Sequence, residues 1–139
     1  MIGNIKIIAV CMCKVYDERN YRIIRALNNF AVENDYRLFV YHTCSDLYWK
    51  TLSEKGEQSV FDLIDYNITD AVVTFEEGVY AENVMTKNRM DAAKYGKPVI
   101  SVGVEHDDCI SIKFGYAKGF EQVVRHVIEQ HGVRDIGFI

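Results

Sequence analysis

The chain has 139 residues, 20 acidic against 16 basic, and a formal charge of −4. It is 49% hydrophobic with 9 Gly and 1 Pro, which excludes a disordered, collagen-like or disulfide-stapled chain. Surface scaling gives about 7,400 Å² exposed when folded against roughly 23,000 Å² unfolded, enough burial for one core and one domain over residues 1–139. The mild acidity, with no dense Lys/Arg run, disfavours a nucleic-acid surface in this segment.

The first apolar run, Ile7 to Met12, is far shorter than the ~20 residues of a membrane-spanning helix. Met1-Ile2-Gly3-Asn4 opens no secretory signal. No membrane partner and a cytoplasmic location are therefore expected, with Cys11, Cys13, Cys44 and Cys109 as reduced thiols.

In chain order, continuous apolar runs of strand length fall at 5–12, 38–41, 71–75, 99–102, 110–112 and 136–139. Continuous rather than alternating apolarity predicts strands covered on both faces, as in a mostly parallel sheet. Helical stripes lie between them. Ile23, Ile24, Leu27, Phe30 and Ala31 form the first, stopped at Asn34-Asp35, and Val60, Phe61, Leu63 and Ile64 the second, ending near Asn67. Val84, Met85, Ala92 and Ala93 form the third, closed by Gly96 and Pro98. Phe120, Val123, Val124, Val127 and Ile128 form the fourth, closed by Gly132. The order βαβαβαββαβ predicts a three-layer α/β/α fold around a mostly parallel six-stranded sheet, flavodoxin-like in appearance.

Open parallel sheets bind ligands beyond the carboxyl ends of their strands. That rule selects the loops Cys13 to Asn20, His42 to Asp46, Thr74 to Gly78, Gly103 to Asp108 and Lys113 to Tyr116. The first contains no glycine, which excludes a dinucleotide-binding turn. A phosphoacceptor receiver needs an acidic pair after the first strand and an aspartate ending the third, where this chain has Met12-Cys13 and Thr74-Phe75. No G-x-S-x-G elbow is present.

His42-Thr43-Cys44-Ser45-Asp46 and His106-Asp107-Asp108-Cys109 offer nitrogen, sulfur and oxygen donors at one end of the sheet, but lack the close spacing of strong zinc motifs. No metal site, cofactor or catalytic residue is assigned. Cys11 and Cys13 share a strand face, which suits packing beneath a helix.

Aromatic residues crowd the selected loops, and flat rings with a few polar hooks describe a small-molecule cleft. The candidate ligand-binding residues are Tyr16, Asp17, Arg19, Asn20, His42, Asp46, Phe75, Glu76, Phe114 and Tyr116, with Glu77 on the same rim.

Several phrases then resemble a known family. They are Ile7-Ile8-Ala9-Val10 followed by Tyr21-Arg22-Ile23-Ile24-Arg25-Ala26-Leu27, Ile68-Thr69-Asp70-Ala71-Val72-Val73, and Gly96-Lys97-Pro98-Val99-Ile100. Lys118-Gly119-Phe120, Arg125-His126-Val127 and Arg134-Asp135-Ile136-Gly137-Phe138-Ile139 complete the series. In order and spacing the chain resembles, over essentially its whole length, the first lobe of the periplasmic-binding-protein-like (type I) sensor core of lac-repressor- and galactose-repressor-type regulators.

The resemblance implies a ligand-sensing lobe, the first of two, whose strand at 136–139 leads toward the second. It also implies a small polar metabolite as ligand, sugar-like or other, a homodimer, and an output module in the same chain. That output would be a DNA-binding domain or an enzyme such as a diguanylate cyclase, the lobe itself being non-enzymatic. Three customary sugar contacts depart from the family pattern: residues 16–20 replace its gripping stretch after the first strand, Gly103-Val104 its aspartate, and Phe114-Gly115 its Asp-Asn. The rival expectation is a small flavodoxin-like enzyme using the His42, Cys44, Asp46 and 106–109 loops, with or without metal.

Overall fold

A computed structural model describes residues 5–137. The elements are β1 (Lys6–Cys13), α1 (Glu18–Glu33), β2 (Tyr36–Thr43), α2 (Leu52–Gln58), a 3-10 turn (Ser59–Leu63), β3 (Ala71–Phe75), α3 (Glu82–Lys94), β4 (Val99–Val102), β5 (Ile110–Ile112) and α4 (Tyr116–His131). The strands form one parallel sheet in the order β2-β1-β3-β4-β5. This is one of the two common doubly wound orders, and its direction reverses between β1 and β3.

The sheet has five strands among the described residues, where the apolar runs predict six. Ile136 and Gly137 lie outside any strand, and Phe138 and Ile139 fall outside the described residues. The second helical stripe also resolves differently. Thr51 and Glu54 form a reciprocal capping box that starts α2 well before Val60, and the stripe itself becomes the 3-10 turn. Only Phe61 and Ile64 of that stripe are buried.

The core is built on one sheet face. Ala9, Cys11 and Cys13 of β1, Val72 of β3 and Val99 of β4 pack against Leu47, Phe61, Ile64, Ala81, Met85 and Ala92. Both thiols on β1 thus serve as small hydrophobes, and burial pushes that of Cys11 up to about 12. Across the sheet α1 buries only Ala31, and α4 buries no residue although it carries an apolar stripe. The accessible surface is accordingly 9809 Å², well above the about 7,400 Å² of a compact chain of this mass. No helix among the described residues is long and apolar enough to cross a membrane.

Candidate functional site

At the carboxyl ends of β1 and β3, where the strand order reverses, a cleft of about 220 Å³ opens. Side-chain alternation decides what enters it. Met12, next to last in β1, and Phe75 and Val102, the last residues of β3 and β4, form its apolar floor, with Ile23 of α1 beside them. Thr74 and Glu76, one step out of phase with Phe75, are buried.

The polar walls come from three loops. Lys14 takes a left-handed backbone (φ +48°), donates its amide to Thr43 O at 2.8 Å, and accepts from Asp17 N at 3.0 Å. Asn20 Nδ2 ties the start of α1 back to β1 by donating to Cys13 O and Lys14 O at 2.9 and 3.1 Å. Lys14 Nζ then reaches Asp46 Oδ2 at 2.9 Å, which raises the lysine and holds the aspartate below its usual range. Asp17 occupies the N-cap position of α1 without making a side-chain cap bond.

At the mouth, Arg19 Nη2 donates to Glu77 Oε2 at 2.7 Å and to Tyr116 Oη at 3.0 Å. Tyr116 Oη in turn donates to Glu77 Oε2 at 3.2 Å. The guanidinium carbon lies 5.1 Å from the centroid of the Phe114 ring, a cation–π arrangement, and Phe114 leans on Tyr116 at 5.5 Å. Burial and the bond to Glu77 push the Tyr116 phenol up, and Glu77 raises Arg19.

Of the residues expected from sequence, Asp17, Arg19, Asn20, Asp46, Phe75 and Phe114 line this cleft, and Tyr116 closes its mouth. Tyr16 instead spans to the neighbouring loop, its hydroxyl donating to Cys44 O at 2.6 Å. His42 sits half-buried at the end of β2, outside the cleft, its Nδ1 3.3 Å from Thr43 O. Glu76 points beneath the sheet end, and Glu77 takes the cleft position. Lys14 is a wall residue that its place in the first loop, opposite Asp46, could have disclosed.

Glu76 anchors a second polar group on the core side. Thr74 Oγ1 and Arg89 Nη1 both donate to Glu76 Oε1 at 2.8 Å, and His106 Nε2 lies 2.8 Å from Oε2. Burial raises this carboxyl, but the bonds from Thr74, His106 and Arg89 outweigh it and hold it below the ordinary glutamate value. Arg89 Nε faces Asp108 Oδ1 at 3.6 Å. The network therefore clamps α3 and the loop after β4 to the end of β3. His106 is committed there and does not meet His42. Among the described residues no three His, Cys, Asp or Glu side chains converge as metal donors.

No protein-family model matches the chain. No curated protein matches it by sequence either.

Proposed function

We propose that the chain is a ligand-sensing regulatory lobe, one half of a two-lobed receptor for a small polar metabolite, of the lac-repressor type. The observation that supports this is the cleft. It lies where doubly wound sheets bind ligands and carries charged and aromatic groups from the loops after β1, β2, β3 and β5. Its volume of about 220 Å³ falls below the ≈300–1,000 Å³ of complete small-molecule sites, as expected of one wall awaiting another.

In this reading the ligand favours the closed pair of lobes through contacts made only when they meet. The shift then passes to an output module, DNA-binding or enzymatic, of a cytoplasmic, homodimeric protein. The lobe performs no chemistry itself.

The test is a titration of the ¹⁵N-labelled chain with a panel of sugars, amino sugars, sugar acids and amino acids. If two lobes hold a ligand with micromolar strength (about −8 kcal/mol), one lobe retains about −4, which is millimolar. A panel member should shift the amides of Lys14 to Asn20 at millimolar concentration and bind far more tightly when a second lobe is supplied. A panel that leaves those amides unmoved overturns the proposal.

A further inference from the structure

Arg19 occupies a place that a ligand cation would fit. Its guanidinium lies between the carboxylate of Glu77, the hydroxyl of Tyr116 and the ring of Phe114, all within the distances of direct recognition. Three side chains from two segments, the loop after β3 and the junction of β5 with α4, thus converge on one positive group, and the group comes from α1 next door. The side chain of Arg19 remains 55% exposed. An exposed pair of this kind is weak, and a competing cation would find the same hydroxyl and ring waiting, so it can replace Arg19 at small cost.

The charge around the cleft favours such a competitor. Lys14 is neutralised by Asp46 and Arg19 by Glu77, which leaves Asp17 as a carboxylate committed to no cap bond. Two cations against three carboxylates give the lined surface a net charge of −1. An anionic ligand would have to break one of the two pairs and then face the unpaired carboxylates. A ligand bearing an ammonium or guanidinium group also parts Arg19 from Glu77, but it brings a new cation to that carboxylate in exchange and meets no repulsion from it.

We propose that Glu77, Tyr116 and Phe114 form a cation-receiving subsite that Arg19 fills in the unliganded lobe, and that the ligand carries a protonated amine or guanidinium which takes its place. This rests on the cleft being the ligand site. Displacement frees Arg19 at the mouth, where the facing lobe would meet it, so ligand entry and lobe closure become linked.

The experiment empties the subsite without requiring the natural ligand. ¹⁵N spectra of the wild-type chain and of Arg19→Ala are titrated with ethylguanidinium chloride, with its neutral analogue N-ethylurea, and with sodium chloride as the ionic control. Arg19→Ala should bind ethylguanidinium at least about tenfold more tightly than wild type, with shifts at Glu77, Gly78 and Phe114 to Tyr116. N-ethylurea should leave those amides in place, and adding Glu77→Gln to Arg19→Ala should abolish the response.

Equal responses to both probes, or none in a variant whose spectrum is otherwise native, overturn the subsite. If members of the metabolite panel still shift Lys14 to Asn20, the receptor reading survives that failure. A sugar acid as the tightest member of the panel likewise overturns the subsite alone.

Discussion

Arg89 on α3 and Glu76 after β3 form an ion pair of which each side chain is only 6% exposed, with Nη1 2.8 Å from Oε1 and 3.0 Å from Oε2. Removing one partner of a buried pair costs about 3–5 kcal/mol, and the low end applies to the loss of Arg89 because Thr74 and His106 still bond the carboxylate. Arg89→Met should therefore lower the urea midpoint severely. The double variant Arg89→Met/Glu76→Gln should recover much of that loss, because no bare charge remains. A single variant as stable as wild type would show that the pair is solvated.

The same carboxylate sets a pH dependence. Its folded pKa lies below the ordinary glutamate value of 4.5, so ionised Glu76 contributes stability that is fully present above pH 4.5. That contribution is lost as pH falls through the folded pKa. Urea unfolding from pH 6 to pH 3 should show wild type losing more stability than Glu76→Gln over the acid part of the range. Parallel curves would assign the acid sensitivity to other groups.

Gly103 controls where Glu77 sits. Its φ is +100°, and a Cβ added there would lie 2.6 Å from Glu77 Cβ and 3.0 Å from Glu77 N. Backbone cannot yield as a flexible side chain can. Gly103→Ala should cost about 1–3 kcal/mol and displace Glu77 from Arg19. Thermal denaturation reads the first effect, and the amide shifts of Glu77, Gly78 and Tyr116 read the second.

Thr51 Oγ1 accepts from Glu54 N at 3.2 Å, while Glu54 Oε2 accepts from Thr51 N at 2.8 Å. Losing this cap typically costs about 1 kcal/mol. Thr51→Ala should lower the unfolding free energy by that amount, and Thr51→Ser should leave it nearly unchanged. Equilibrium urea curves distinguish the two.

The sheet is legible because its central strands are apolar throughout, and the runs of 5–12, 38–41, 71–75, 99–102 and 110–112 fall on strands with Ile5 alone outside. The edge strands β2 and β5 are apolar too, although Phe39, Ile110 and Ile112 stay exposed. β2 runs longer than its apolar stretch because Tyr36, Arg37, His42 and Thr43 pair with Lys6, Ile7, Met12 and Cys13, and backbone pairing does not need apolar side chains. Val60 to Ile64 has the spacing of a helical stripe, yet the helix starts at the Thr51-x-x-Glu54 capping signal, which stands in the sequence. At the cleft, the loops followed from the strand ends. Choosing between Glu76 and Glu77 needed the phase of β3 relative to the core, which adjacent glutamates do not reveal. Arg89 was invisible for a similar reason, since a charged residue inside a helix resembles any solvated one until its partner is known.

The floor of the cleft consists of residues at the strand ends, Met12, Phe75 and Val102, whereas its polar walls come from loops and from the first turn of α1, outside the sheet's own pairing. The two parts can be altered independently. Exchanging Asp17 or Asp46 in the loops, or Arg19 in the first turn of α1, changes the charge lining the cleft while the strands beneath keep their pairing.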